Sequence, residues 1–288
     1  MLWNKSRSSD NVEQAEGGGG GGFGFGGIHF GIGGTILAII IAIIFPGTRG
    51  IIFGLLSGGG GAGAPAQVQQ ASDTDPQVQF VKHILGSTED VWSQTFQQMG
   101  KSYTDPKLVL FHGQIGTACG GASAAVGPFY CPGDKQVYLD LDFFQELATR
   151  FHSDSDFARA YVIAHEIGHH VQDQLGIMDA EQQAQQRGTP MQGANGLSVR
   201  LELQADCFAG IWANHSQQQL QWLQPGDVES ALNAASQIGD DTLQKQSQGQ
   251  VVPDSFTHGT SQQRVHWFQI GFQSGNLADC DTFKAATL

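Results

Sequence analysis

The stretch AHEIGHHVQDQLG, Ala164–Gly176, carries three histidines and a glutamate within six consecutive positions. It closes a longer run, SDSDFARAYVIAHEIGHHVQDQLG (residues 153–176), that reads as one helix. Ser and Asp side chains are available to cap its start, and Gly176 is placed to end it. Helical residues four apart share a face, with Cβ atoms about 5–6 Å apart. His165 and His169 of this H-E-x-x-H can therefore grip one metal ion, and Glu166 stands beside them as a general base for a metal-held water. His170 is turned by about 100° from His169 and reads as a packing or second-sphere residue. The competing reading is the wet face of an ordinary helix.

A catalytic zinc needs three protein ligands and one exchangeable position. The next helix, LSVRLELQADCFAGIWANH (residues 197–215), offers Glu202 and Asp206 on one face of an otherwise apolar sequence. Two carboxylates on such a face are costly to bury unless they pair or meet a metal. Glu202 then completes a His₂Glu set with His165 and His169, and Asp206 can accept the free N–H of a ligating histidine and fix its tautomer. An exposed acidic stripe is the alternative. Near the end, Thr257-His258-Gly259-Thr260-Ser261-Gln262-Gln263-Arg264 sets a histidine in a loop before a helix. His258 suits a donor to a developing oxyanion, with Arg264 orienting it or holding an acidic partner. A capping loop with a surface arginine is the plainer possibility.

The remaining elements frame these residues. Helical spacing runs from Val78 to Gly100, with strands over KLVLFHG (107–113) and FYCPGDKQVYLDLDFF (129–144), the latter turning at Pro132-Gly133-Asp134. Further helices are expected over residues 225–239 and from Thr260 onward. Asp140 and Asp142 alternate on the second strand and read as a solvated face. His83, His112, His152, His215 and His266 have no partner at ligand spacing. The fold class is α+β, mainly helical, with a small sheet.

Ahead of this domain the composition changes. Half of the 40 glycines fall in the first 64 residues. Residues 1–27 read as a flexible Gly-rich segment, 28–56 as a transmembrane anchor region around IHFGIGGTILAIIIAIIF, 57–76 as a flexible linker, and 77–288 as the folded domain. A cleaved signal peptide and a buried core helix are the alternatives to one N-terminal transmembrane helix. Lys5 and Arg7 before the span, against Arg49 after it, bias the N-terminus toward the cytoplasm. Four cysteines, Cys119, Cys131, Cys207 and Cys280, all follow the span and form no C-x-x-C. An even count fits two disulfides in an oxidising compartment, with 119–131 and 207–280 favoured among three pairings, against four free thiols in a cytosolic domain. A formal net charge of −13 argues against nucleic acid as a partner.

H-E-I-G-H, E-L-Q-A-D and H-G-T-S-Q-Q-R, with CPGDKQVYLDLDFF and the glycine-rich apolar N-terminus, resemble the bacterial "putative neutral zinc metallopeptidase" family over nearly the whole chain. The resemblance implies a gluzincin-type, zincin-like domain with one Zn²⁺ on His165, His169 and Glu202, and Glu166 as base. It implies a zinc metallopeptidase, a hydrolase acting on protein or peptide substrates. E-x-x-A-D and H-x-x-x-x-x-R are also similar to membrane-associated peptidases, which carry proline where this chain has Gly259. Zincins hold an extended substrate against an edge strand, and VYLDLDFF is the candidate here. The expectation is thus a single-pass, membrane-anchored zinc endopeptidase with its domain periplasmic or extracellular. A zinc-stabilised envelope module that binds peptide without cutting is the alternative.

Overall fold

The computed structural model describes residues 1–15, 68–123, 127–151 and 155–288. Its main sheet draws strands from both sides of the Gly-rich region. β1 (Val12–Ala15) and β2 (Val68–Gln70) join β3 (Lys107–Phe111), β6 (Phe129–Cys131) and β7 (Gln136–Asp140) in the order β2-β1-β3-β7-β6. β1, β3 and β7 run parallel, while β2 and β6 pair antiparallel at the two edges. β4 (Gln114–Thr117) and β5 (Gly120–Ser123) form a separate hairpin. The helices are α1 (Pro76–Gln98), α2 (Asp142–Phe151), α3 (Asp156–Gln174), α4 (Ile177–Gln186), α5 (Leu197–Leu220), α6 (Asp227–Gln237), α7 (Asp240–Gln248) and α8 (Ser261–Ser274). Helix over a small sheet is the expected class.

Local signals set the boundaries of the helices that carry the site. Ser155 caps α3 by accepting from Ala158 N–H, and Gly176 follows it at φ +75°, the left-handed region that a glycine occupies without strain. Thr260 and Gln263 form a capping box at the start of α8. α5 runs through the core beside Trp92, Phe157, Tyr161 and Phe268, all fully buried. α5 and α8 meet through glycines. A Cβ on Gly271 would lie 1.9 Å from the Cys207 carbonyl oxygen, and one on Gly210 would lie 2.2 Å from that of Phe268. No side chain fits there, so the two backbones can touch.

The first 15 residues are built into the domain, unlike the flexible segment expected over 1–27. Ser6 and Ser9 lie against α1, and a Cβ on Gly86 would meet the Arg7 carbonyl oxygen at 2.5 Å. Glu89 of α1 is only 1% exposed and takes Arg7 Nη2 at 2.6 Å, Ser9 Oγ at 2.6 Å and Asn11 Nδ2 at 2.8 Å. Lys5 Nζ donates to the carbonyls of Leu220 and Gln221. The two cations that suggested a cytoplasmic N-terminus thus have structural work within the fold. Likewise β2 falls inside the expected linker 57–76, so the folded unit does not begin at residue 77.

A topological consequence follows. Ala15 is the register partner of Val68, so both ends of residues 16–67 join one sheet side by side. A chain crossing a membrane once delivers its two flanks to opposite faces, which a shared sheet forbids. The arrangement of the described residues gives no support to a single pass over 28–56. The apolar run itself lies outside the described residues, and among those described no helix is long and apolar enough to cross a membrane.

Smaller departures have local causes. The run 136–144 is strand only to Asp140, and α2 begins at Asp142. Asp140 is fully buried rather than solvated, because its two oxygens accept the N–H groups of Gly113 and Asp142 and so close the strand end. β7 is interior, with β3 and β6 on either side, so it cannot be the edge that takes substrate. That edge is β6.

Candidate metal centre and catalytic site

α3 and α5 approach closely at the H-E-x-x-H because its fourth residue is glycine. A Cβ on Gly168 would stand 3.0 Å from the Ala205 carbonyl oxygen. The approach brings Glu202 onto both histidines, with Oε2 3.2 Å from His165 Nε2 and Oε1 3.5 Å from His169 Nε2. Ligands about 2.0–2.1 Å from a tetrahedral zinc lie about 3.3 Å apart along each edge, and the distance from Glu202 to each histidine suits that ion. Two imidazole nitrogens and one carboxylate are also the donor set of catalytic zinc. A second group, His112, Asp140 and Asp142, also places donor atoms together, but two of its members are exposed and the Asp140 oxygens are taken by backbone.

Behind the donors lies a buried polar layer. Asp206 Oδ1 is 2.9 Å from His165 Nδ1. The same carboxylate receives Arg264, Nε on Oδ2 at 2.8 Å and Nη2 on Oδ1 at 2.9 Å, and the Tyr161 hydroxyl also donates to it. Arg264 is thus the ion partner of Asp206, one of the two roles its position suggested. Burial opposes charge on Asp206, yet Arg264 and His165 hold it at about 2. Burial likewise opposes protonation of His165, but Asp206 and Glu202 outweigh it and push the imidazole to about 10. Burial would raise Glu202, and the charges of His258 and His169 keep it well below the usual carboxylate range. The metal-free His165 therefore holds a proton that a bound cation would displace.

Glu166 is buried beside the histidines, and its Oε2 accepts the Tyr130 N–H of β6 at 2.9 Å. Burial raises its pKa against the opposing pull of His165 and His169. The backbone bond ties the carboxylate to the edge strand of the sheet. Since the Tyr130 N–H points away from β7, the same-facing positions on either side are Pro128 and Pro132, which have no N–H to offer. The one N–H of that edge, on Tyr130, is thus already taken by Glu166.

His258 sits on the loop before α8, partly exposed, with its charge felt by Glu202. Asp240, first residue of α7, holds that loop. Its Oδ2 accepts the N–H groups of Thr257, His258 and Gly259 at 2.7, 2.7 and 3.0 Å, and its Oδ1 lies 3.5 Å from His258 Nδ1. His170 is buried away from the donors, with Nδ1 3.2 Å from the Tyr130 hydroxyl and Nε2 2.8 Å from the Thr104 carbonyl oxygen. Cys119–Cys131 and Cys207–Cys280 are both disulfides, the favoured pairing.

Several contributors were not singled out from sequence. Tyr161 stands one helical turn before His165 on the same face, a readable signal. Gln172, three residues after His169, meets its Nδ1 at 2.8 Å. Asp240 gives no such signal, because α7 is polar apart from Leu243 and reads as loop.

The family described as "Putative neutral zinc metallopeptidase" matches residues 1–283. The chain belongs to this family. An Escherichia coli (strain K12) protein, "Uncharacterized protein YpfJ", is 50% identical over 292 aligned residues, covering 98% of this chain and 99% of that one. An uncharacterized Mycobacterium tuberculosis protein is 44% identical over 234 residues, covering 77% of this chain and 76% of its own. No solved structure matches. The match takes in the N-terminal strand β1 as well as α3 and α5.

Proposed function

We propose that this protein is a zinc-dependent endopeptidase, with His165, His169 and Glu202 holding the ion and Glu166 serving as general base. The observation that carries the reading is the convergence of the three donors, backed by Asp206 and flanked by a buried Glu166. Bound there, zinc would polarise the scissile carbonyl and acidify a water. Glu166 accepts the proton of the attacking water and passes it to the leaving amine. Its anchorage on Tyr130 N–H keeps it oriented between these transfers. His258, steadied by Asp240, donates to the oxyanion that develops on the substrate carbonyl. An extended peptide lying beside β6 donates its N–H groups to the strand's carbonyls and finds no donors in return, which favours a short alignment over a full added strand.

The two disulfides support placement in an oxidising compartment, periplasmic or extracellular. Because β1 pairs with β2 and β3 in one sheet, the two flanks of residues 16–67 would occupy the same side of any membrane that the 28–56 segment meets. The test is zinc content by mass spectrometry together with cleavage of a casein-type substrate, comparing wild type with Glu166→Gln. Zinc retained in both with cleavage lost in the variant is expected; equal cleavage would reject Glu166 as the base.

A further inference from the structure

The two candidate histidine ligands are backed differently. His165 leans on a carboxylate, whereas His169 Nδ1 faces the neutral amide of Gln172, Oε1 at 2.8 Å. Gln172 is fully buried. Its Nε2 donates onward to the Leu201 carbonyl at 2.7 Å and to Gln204 Oε1 at 3.1 Å. Gln204, also buried, donates through Nε2 to the Cys280 carbonyl at 2.9 Å. Every step from His169 to Cys280 is thus a hydrogen bond inside the core.

The direction of this chain is not free. An amide can be turned either way, but a backbone carbonyl only accepts. The Leu201 and Cys280 carbonyls therefore require the NH₂ groups of Gln172 and Gln204 to face them. Each amide must then turn its oxygen back toward the site. The last oxygen, on Gln172, meets His169 Nδ1 and demands a proton there. Nε2, the atom 3.5 Å from Glu202 Oε1, is left as the lone pair for a metal. The Cys280 end is fixed covalently, since Cys280 is joined to Cys207 on α5, three residues beyond Gln204.

We propose that Gln172 and Gln204 form a positioning relay that sets the tautomer of His169, with the Cys280 carbonyl at the Cys207–Cys280 disulfide as its fixed terminus. The proposal rests on the zinc reading of the site. It makes Gln204 a determinant of metal affinity although Gln204 touches neither a candidate ligand nor the metal.

The test uses the full chain and zinc, with affinity measured by chelator competition and thermal stability of the metal-free form measured beside it. Gln172→Met and Gln204→Met conserve volume. Gln172→Met is expected to weaken zinc by about 10- to 100-fold, the usual scale for a lost partner of a ligating histidine. Gln204→Met should weaken it less, and the double variant should match Gln172→Met, because both act along one chain. In zinc-loaded protein, ¹⁵N shifts of the His169 ring should show Nδ1–H in wild type and a weakened signal in Gln172→Met. A Gln204→Met protein of wild-type zinc affinity, or losses that simply add in the double variant, would overturn the relay. A wild type that binds no zinc would instead overturn the metal site, and the relay with it.

Discussion

Asp206 Oδ1 stands 2.9 Å from His165 Nδ1 while both oxygens of the same carboxylate are clamped by Arg264. One buried anion thus orients a candidate metal ligand on α3 and fixes α8 against α5.

Asp206→Asn should therefore weaken zinc binding by about 10- to 100-fold and, by leaving Arg264 buried without its counter-ion, lower stability by about 3–5 kcal/mol. The stability loss depends on pH in a defined sense. The Asp206 pKa is depressed to about 2 in the folded chain, against about 3.9 unfolded. Its contribution is complete above about pH 4 and fades as pH falls toward 2. The stability difference between wild type and variant, followed by urea unfolding of the metal-free proteins, should shrink across that window. A constant difference would mean that the carboxylate is not the source.

Removing residues 1–15 should cost several kcal/mol. Glu89 would keep its burial and lose Arg7, Ser9 and Asn11 together, and an uncompensated buried charge costs about 3–5 kcal/mol. β3 would also lose one of its two partner strands, and β2 its only one. A chain beginning at residue 68 should unfold far below the full-length protein in a thermal melt. Equal stability would show the N-terminal segment to be dispensable.

Ser8 and Lys284 are both exposed, near opposite ends of the chain. Cysteines placed there singly, Ser8→Cys and Lys284→Cys, should respond alike to a membrane-impermeant maleimide in intact cells. Labelling of one and protection of the other would contradict the shared sheet.

Gly271→Ala should destabilise strongly, since its Cβ would meet the Cys207 carbonyl at 1.9 Å. Arg264 lies two turns earlier on the same helix, so the displacement should reach Asp206. Loss of zinc affinity alongside the lowered melting temperature is expected. A variant with unchanged melting would show that the helices separate freely.

The site was more legible in the sequence than the frame around it. His165, Glu166, His169, Glu202 and Asp206 sit on two strongly patterned helices, where a spacing of four fixes a common face before any tertiary contact is known. Residues 1–15 read as flexible because a glycine tract follows them and their partners are remote. Glu89 gives no sign in sequence that it needs Arg7, Ser9 and Asn11. β1 is four residues long, with an alternation too brief to register, and its strand character comes from β3 beside it. α4 and α7 are polar helices stabilised by docking rather than by an apolar stripe. The edge strand was misplaced because sheet order is a tertiary property that strand periodicity does not carry.

The most direct measurement is cleavage by zinc-loaded wild type and Glu166→Gln, with zinc content determined on the same samples. Glu166 lies among the donors without being one of them, so the variant should keep its zinc and lose cleavage by orders of magnitude. Cleavage undiminished in a zinc-loaded Glu166→Gln protein would contradict the assignment of Glu166 as the catalytic base.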